Sequence, residues 1–363
     1  MVNVGVVGCG RWGVNYVRIF EELPQARVER VCDRDEEALR KITQRFPAVK
    51  ATADIDEVTG SPDIDVVVVA TPAAGHYEVV SRCLDAGKHV LVEKPIATTV
   101  EEATGMIRSA ASAKRVLMVG HTFLFNPGVR AVKRWMGDDL FGDLYYLHAT
   151  RTNMGPIRKD VNAVWDLATH DVSIFNYLLD SLPRWVSATG SRLLRSSRED
   201  VAFITLGYRE NVIANIHVSW ADPFKVREVV AVGSRRRVVF DDIEGLERVK
   251  IFDKGVVTEP KADNFGEFRL LMRDGDILSP KIENTEPLKE QCLHFIECVE
   301  RGKTPVSDGR MGLDVVSVMT AIDESLALDG APVEVERPAG AALSGRGAAY
   351  RGQQKGRSRR VRP

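Results

Sequence analysis

The chain has 363 residues, enough for about two domains, with 44% hydrophobic and 28% charged residues and a formal net charge of −1. That composition excludes collagenous, low-complexity and disulfide-scaffold classes, and no apolar run approaches the ~20 residues of a membrane helix. The five cysteines (Cys9, Cys32, Cys83, Cys292, Cys298) include no C-x-x-C pair, so they read as buried thiols rather than a zinc or redox motif.

"MVNVGVVG" enters a strand without a charged n-region, so no signal peptide is expected and the cytoplasm is the expected location. "VNVGVV" is the first strand, followed by a helix over 11–22. "RVERVCD" and a helix over 35–46 come next, then a short strand at "VKAT" and the β-branched run "DVVVVAT". A helix near 75–86, the strand "HVLVEKP", a helix near 100–113 and the strand "RVLMVGH" complete the first third. Continuous Val/Ile/Leu strands alternating with amphipathic helices predict a parallel sheet covered on both faces. Residues 1–121 therefore read as a doubly wound, dinucleotide-type domain.

Beyond His121 the pattern changes. A helix near 127–136, the strand "DLYYLHATR", a long loop over 152–164 and a helix over 166–179 precede a series of β-type stretches. "RWVSATGSRL", "DVAFITLGY", "VIANIHVSW", "VREVVAVGS", "RRVVFDD" and "ERVKIFD" follow one another without helices, which predicts a mostly antiparallel sheet. A polar insertion near 258–287 leads into helices near 288–301 and 309–328. Residues 122–336 make the second, substrate-binding domain of an α/β protein. From Arg337 onward the chain holds eight Lys/Arg and no acid, leaving about −9 for the rest. Residues 337–363 are expected to be a disordered basic tail, either simply solvated or in loose contact with nucleic acid.

Gly8-x-Gly10-x-x-Gly13 lies where a strand turns into a helix. Gly8 permits the turn, Gly10 lets a pyrophosphate approach the backbone, and Gly13 allows close helix–strand packing. Arg11 and Trp12 lie within the same turn, whose helix start offers free N–H groups to an anion. Asp33, twenty residues past Gly13, stands where an acid grips a ribose diol. A carboxylate there favours NAD, whereas the adjacent Arg34 leaves NADP open.

Ligands of such sheets lie beyond the carboxyl ends of the strands, where "ATPAAGH" (Thr71, Pro72, His76), "EKP" (Glu93, Lys94) and "GH" (His121) fall. Lys94 is either a surface lysine before a proline or an ammonium aimed at the cofactor crevice. In "WDLATHD", Asp166 and His170 are four apart and share a helix face. A histidine suits removal of a hydroxyl proton, and a carboxylate one turn away could orient it. An ordinary surface pair is the alternative, though the apolar setting "VWDLATHDVSIFNYLL" speaks against full solvation. Asp171 reads as structural. The loop 151–162 offers Arg151, Asn153, Arg158, Lys159, Asp160 and Asn162 to a diphosphate or to sugar hydroxyls. No His/Asp/Glu set has zinc spacing, so no metal is expected.

These residues, taken together, resemble the Gfo/Idh/MocA oxidoreductases over about residues 2–330. "GCGRWG", "TPAAGH", "VEKP", the Asp166–His170 pair and "EPLKEQCLHFIECVERGKTPVSDGRMGLDVV" fall in the family's order. The resemblance implies bound NAD(P), a C-terminal domain whose open sheet face mediates homo-oligomerisation, and oxidation or reduction of a sugar or cyclitol hydroxyl. It implies Lys94 as the catalytic lysine, His170 as general acid/base and Asp166 as its partner. "GHTFLFNPGVRAVKRWM" and "RTNMGPIRKDVNAVWDLATHDVSI" look like members acting on nucleotide sugars, UDP-N-acetylglucosamine 3-dehydrogenases among them. "DVNAVWDLATH" replaces the glycine-rich approach of many members, which leaves the substrate subgroup open. An inositol or other cyclitol dehydrogenase, a deoxysugar ketoreductase and a non-catalytic NAD-binding regulator are the alternatives.

Overall fold

A computed structural model describes residues 1–155, 157, 161–194, 198–260 and 268–336. The basic tail and residues 158–160 of the polar loop, Arg158 included, lie outside the described residues. The first sheet holds β1 (Val2–Val7), β2 (Ala26–Cys32), β3 (Lys50–Thr52), β4 (Val66–Val69), β5 (His89–Val92) and β6 (Leu117–Val119). All are parallel, in the order β3-β2-β1-β4-β5-β6. Helices α1 (Arg11–Glu22), α2 (Glu36–Arg45), α3 (Asp56–Thr59), α4 (His76–Asp85) and α5 (Val100–Ala113) connect these strands. The unbroken valines of β4 are wholly buried, as expected of a central strand covered on two sides.

The chain continues through α6 (Pro127–Met136), β7 (Leu144–Met154) and α7 (Thr169–Leu179) into β8 (Trp185–Ser191), β9 (Val201–Gly207) and β10 (Ile213–Ser219). Next come β11 (Ala221–Gly233), β12 (Arg237–Asp241), β13 (Val249–Phe252), β14 (Gly255–Pro260), β15 (Phe268–Arg273) and β16 (Ile277–Leu278). Helices α8 (Pro287–Arg301) and α9 (Gly309–Ala327) and strand β17 (Val333–Glu334) end the described chain. The second sheet runs β16-β13-β12-β11-β7-β10-β9-β8-β17. It is antiparallel except where β7 pairs with β10. β14 and β15 form a separate two-stranded ladder, inside a region that sequence composition marks only as a polar insertion.

The two sheets are not independent modules. α9 is buried at 12 of its 19 positions, because it is apolar on two sides rather than one. Val315, Val318 and Ile322 join the core under the second sheet, while Leu313 and Val316 join the core of the first. Leu288, Cys292 and Phe295 of α8 likewise pack into the first domain. Ser307 backs onto the edge strand β6, with its Oγ donating to Val119 O at 2.7 Å. The C-terminal helices thus clamp the second sheet onto the first, and the crevice at the strand ends is walled by both.

Candidate active site

The cofactor side is made of backbone. A Cβ on Gly13 would come 1.9 Å from Gly8 O, and Gly8 itself has φ +96° with Ala70 and Thr71 backbone against it. A Cβ on Gly10 would meet nothing within 4 Å. So two of the three glycines serve the turn, while the third keeps open the approach to the helix. α1 starts with no side-chain cap and no acid in its first turn. α2 differs: Asp35 caps it, with Glu36 and Glu37 following. The same holds for α5, capped by Thr99 and followed by Glu101 and Glu102. Only α1 of these three offers its first N–H groups and its positive dipole end to an outside anion.

Asp33 closes this side. Its Oδ2 accepts from Cys9 N at 2.5 Å and its Oδ1 from Asp35 N at 2.9 Å, which fixes the carboxylate beside the glycine turn. Arg34, Pro72, Arg11 and Trp12 are exposed around it. The free α1 N-terminus, the room at Gly10 and the anchored acid fit the pyrophosphate and ribose of a dinucleotide. Thr71 at the end of β4 keeps its Oγ1 buried without a partner among the described residues.

Two residues that the sequence groups with the cofactor have other tasks. His76 is buried, with ring nitrogens 2.9 Å from Thr71 O and 2.8 Å from Pro95 O. It clamps the segments following β4 and β5 together and presents no ring nitrogen to a ligand. Glu93 is 7% exposed, and its oxygens accept from Tyr16 Oη at 2.6 Å and from Lys94 N at 3.1 Å. Position at a strand end suggested cofactor contact; burial turned both side chains inward.

The substrate side is made of side chains that converge from distant elements. Lys94, just past β5, donates from Nζ to Asp166 O at 2.8 Å and lies 3.7 Å from Asp166 Oδ1. Trp220, just past β10, donates to Asp166 Oδ2 at 3.3 Å. Asp166 lies in a π-helical stretch, Val164–Ala168, that runs directly into α7. Such a turn is wider than an α-turn, so the expected i,i+4 pairing changes. Asp166 faces Lys94 and Trp220, and the His170 Nδ1 is buried with no hydrogen-bond partner among the described residues. Asp166 is thus engaged with Lys94 and Trp220, and among the described residues no hydrogen bond joins it to the imidazole it was expected to orient.

His170 packs edge-on against Phe123, ring centroids 5.0 Å apart. Burial, and then the charges of Lys94 and Arg151, hold its pKa well below the usual histidine range, so the ring is neutral at pH 7 and able to accept a proton. His121 is 1% exposed with neither ring nitrogen partnered among the described residues. Burial and the Lys94 charge lower its pKa to about 3.

Arg151 also departs from expectation. Its Nε and Nη2 donate to Asp171 at 2.9 and 2.8 Å, both residues are buried, and its guanidinium lies 4.4 Å from the Phe123 ring centre. A guanidinium so engaged is a strut beneath the site rather than a reader of substrate. Asp171, read as structural, is its partner. Asn153 sits half-buried at the end of β7. Trp220, Phe123 and Tyr16 were not anticipated. Each is an aromatic in an apolar run, and only the fold brings it to the site.

Comparison with known proteins places the chain in a family. Residues 2–121 match the model for an oxidoreductase family with an NAD-binding Rossmann fold, and residues 129–239 match the GFO/IDH/MocA C-terminal domain. Inositol 2-dehydrogenase 2 of Saccharopolyspora erythraea is 29% identical over 226 residues, 60% of this chain and 66% of that protein. Among solved structures, UDP-N-acetylglucosamine 3-dehydrogenase GnnA from Acidithiobacillus ferrooxidans aligns at a TM-score of 0.76 and 21% identity, covering 90% of this chain and 98% of that one. The WlbA dehydrogenase from Bordetella pertussis, in complex with NADH and UDP-GlcNAcA, aligns at 0.77 and 21%, covering 93% and 98%. No described helix is long and apolar enough to cross a membrane. With both of its domains matched, the chain belongs to the Gfo/Idh/MocA family of NAD-binding oxidoreductases.

Proposed function

We propose that the chain transfers a hydride between NAD and a secondary hydroxyl or ketone of a sugar, at C3 of a UDP-sugar such as UDP-N-acetylglucosamine. One observation carries the reading: Lys94 Nζ lies 2.8 Å from the Asp166 carbonyl and 3.7 Å from its carboxylate. The lysine ending one domain's strand thereby meets the helical segment that bears His170. When bound, the nicotinamide supplies the hydride acceptor or donor. The neutral His170 accepts the hydroxyl proton during oxidation and returns it during reduction. Lys94 donates a hydrogen bond to the reacting oxygen and stabilises charge there. Asp166, with one oxygen on Trp220, holds the ammonium in place.

The substrate class is supported by the UDP-sugar enzymes among the fold neighbours and by the sequence segments around Asn126 and Asn162. The inositol dehydrogenase relative supports a cyclitol as the second reading. Tyr146, Phe203 and Ile213, exposed on one face of the second sheet, support pairing of that face with a second copy, which sedimentation velocity tests.

Lys94→Ala and His170→Ala are each expected to lower kcat by ~10²-fold or more, with the NAD Kd changed by no more than a few-fold. Near-normal turnover in both variants removes the mechanism. The parent chain, offered UDP-sugars, inositols and free hexoses while reduced-cofactor absorbance is followed, decides the substrate class. Turnover of inositols without UDP-sugars replaces the first reading with the second.

A further inference from the structure

Tyr16, Glu93 and Gln291 are buried polar side chains for which the hydride-transfer reading has no use. They come from α1, the end of β5 and α8, and they form one connected chain. Thr122 Oγ1 donates to Gln291 Oε1 at 2.9 Å, and Gln291 Nε2 donates to Tyr16 Oη at 2.9 Å. Tyr16 Oη donates to Glu93 Oε1 at 2.6 Å, and Lys94 N donates to Glu93 Oε2 at 3.1 Å. We infer that this chain is the positioning device for Lys94, making Glu93 and Tyr16 positioning residues that act on the reaction through the lysine. The inference rests on the reading of Lys94 as the catalytic lysine.

Donor direction is the core of the case. Gln291 gives a proton to the Tyr16 oxygen, so the single Tyr16 proton is committed to Glu93. Glu93 therefore accepts on both oxygens, as a carboxylate does. Tyr16 and Gln291 are 0% exposed and Glu93 is 7%, so each bond broken leaves an unpaired buried group. The space is built for the pair: a Cβ on Gly120 would come within 3.1 Å of both Glu93 Oε1 and Tyr16 Oη. Because Gln291 belongs to α8 and Tyr16 to the dinucleotide helix α1, which share one core, the backbone at Lys94 is tied both to the start of the chain and to its C-terminal part. The groups facing Glu93 are Tyr16, Lys94 and the buried thiol Cys292, which burial keeps neutral. Burial raises the Glu93 pKa, and the Tyr16 hydroxyl and Lys94 only partly offset that rise.

The test uses the full chain with Tyr16→Phe and Gln291→Met, and Lys94→Ala beside them. Acetic anhydride labelling across pH, read by mass spectrometry, reports on Lys94 without any substrate, and the exposed Lys41 is the internal standard. In Tyr16→Phe, no hydroxyl offsets the burial that raises Glu93, so its carboxyl holds a proton into the alkaline range where lysine is labelled and its charge beside Lys94 is lost. Lys94 labelling is then expected to move to lower pH by about half a unit or more, with Lys41 unchanged. On whichever of UDP-N-acetylglucosamine or inositol the parent turns over, kcat is expected to fall ~10-fold with KM within about two-fold. The acid limb of its pH profile moves upward. Gln291→Met shifts both readouts the same way by less, and it decides the matter if Tyr16→Phe fails to fold. Unchanged Lys94 labelling in a folded variant overturns the inference, whatever happens to kcat. Full turnover by Lys94→Ala overturns the catalytic reading instead, and the labelling still reports whether the chain acts on Lys94.

Discussion

The cofactor half of the proposed site uses backbone atoms from six consecutive residues, Gly8 to Gly13, whereas its proposed substrate half uses the side chains of Lys94, Asp166 and His170. In the first, missing Cβ atoms and an uncapped helix end do the work, so a short local pattern carries nearly all of the information. In the second, a π-helical stretch, a tryptophan just past β10 and a buried ion pair under Phe123 hold the surroundings of the ammonium. A backbone site is robust to distant changes and intolerant of a single methyl group. A side-chain site is the reverse, since any residue supporting it can be the one that fails.

The largest effect is expected beneath the substrate half. Arg151→Leu removes one partner of a bidentate ion pair whose other member, Asp171, is 0% exposed. An uncompensated buried carboxylate costs about 3–5 kcal/mol, read as a lower denaturation midpoint in urea. Unchanged stability with a raised substrate KM would return Arg151 to the substrate-binding role that its sequence position suggests.

A smaller and more selective effect is expected in the cofactor half. Gly10→Ala adds a methyl group where the folded chain has nothing within 4 Å, and Gly10 has an ordinary φ of −70°. Its melting temperature should match the parent's, while NAD binding weakens ~10-fold or more, about 1.4 kcal/mol, because the pyrophosphate needs that space. Equal NAD affinity in the two proteins, by calorimetric titration, would mean that the anion does not approach Gly10.

The same contrast governs what the sequence could reveal. The strand–glycine–helix order, Asp33 and the alternation of β and α segments are local, and helices over 11–22, 100–113 and 127–136 fall where periodicity puts them. Lys94 and His170 stood out through chemistry and resemblance. What stayed hidden depends on partners far along the chain. Asp171 lies twenty residues from Arg151, so Arg151 looked like one more polar residue at the mouth of a loop. The π-helical stretch has no compositional mark, so an α-helical spacing rule pairs Asp166 with His170 and does not disclose its contacts with Lys94 and Trp220. His76 and Glu93 occupy strand ends, the expected place for ligand contacts, and only burial reveals that they face inward. β14 and β15 flank the polar run at 261–267, and that run makes the whole stretch read as an insertion.

At His121 the expected effect is a change of slope rather than of midpoint. His121 has a folded-state pKa of about 3, lowered first by burial and then by the Lys94 charge, against ~6.5 for an ordinary histidine. Above pH 6.5 neither the folded nor the unfolded state binds the proton, so this residue adds no pH dependence there. As pH falls from about 6.5 toward 3 the unfolded chain takes up a proton that the folded chain refuses, and stability drops by up to ~1.4 kcal/mol per pH unit. His121→Phe removes that uptake and the two unpartnered ring nitrogens. Its unfolding free energy, measured by urea titration between pH 6.5 and 4.5, should fall less steeply than the parent's by about one proton's worth. Parallel slopes would mean that His121 titrates in the folded state much as it does in the unfolded one; it would then add a second positive charge near Lys94 in acid and lower the proton affinity of His170 still further.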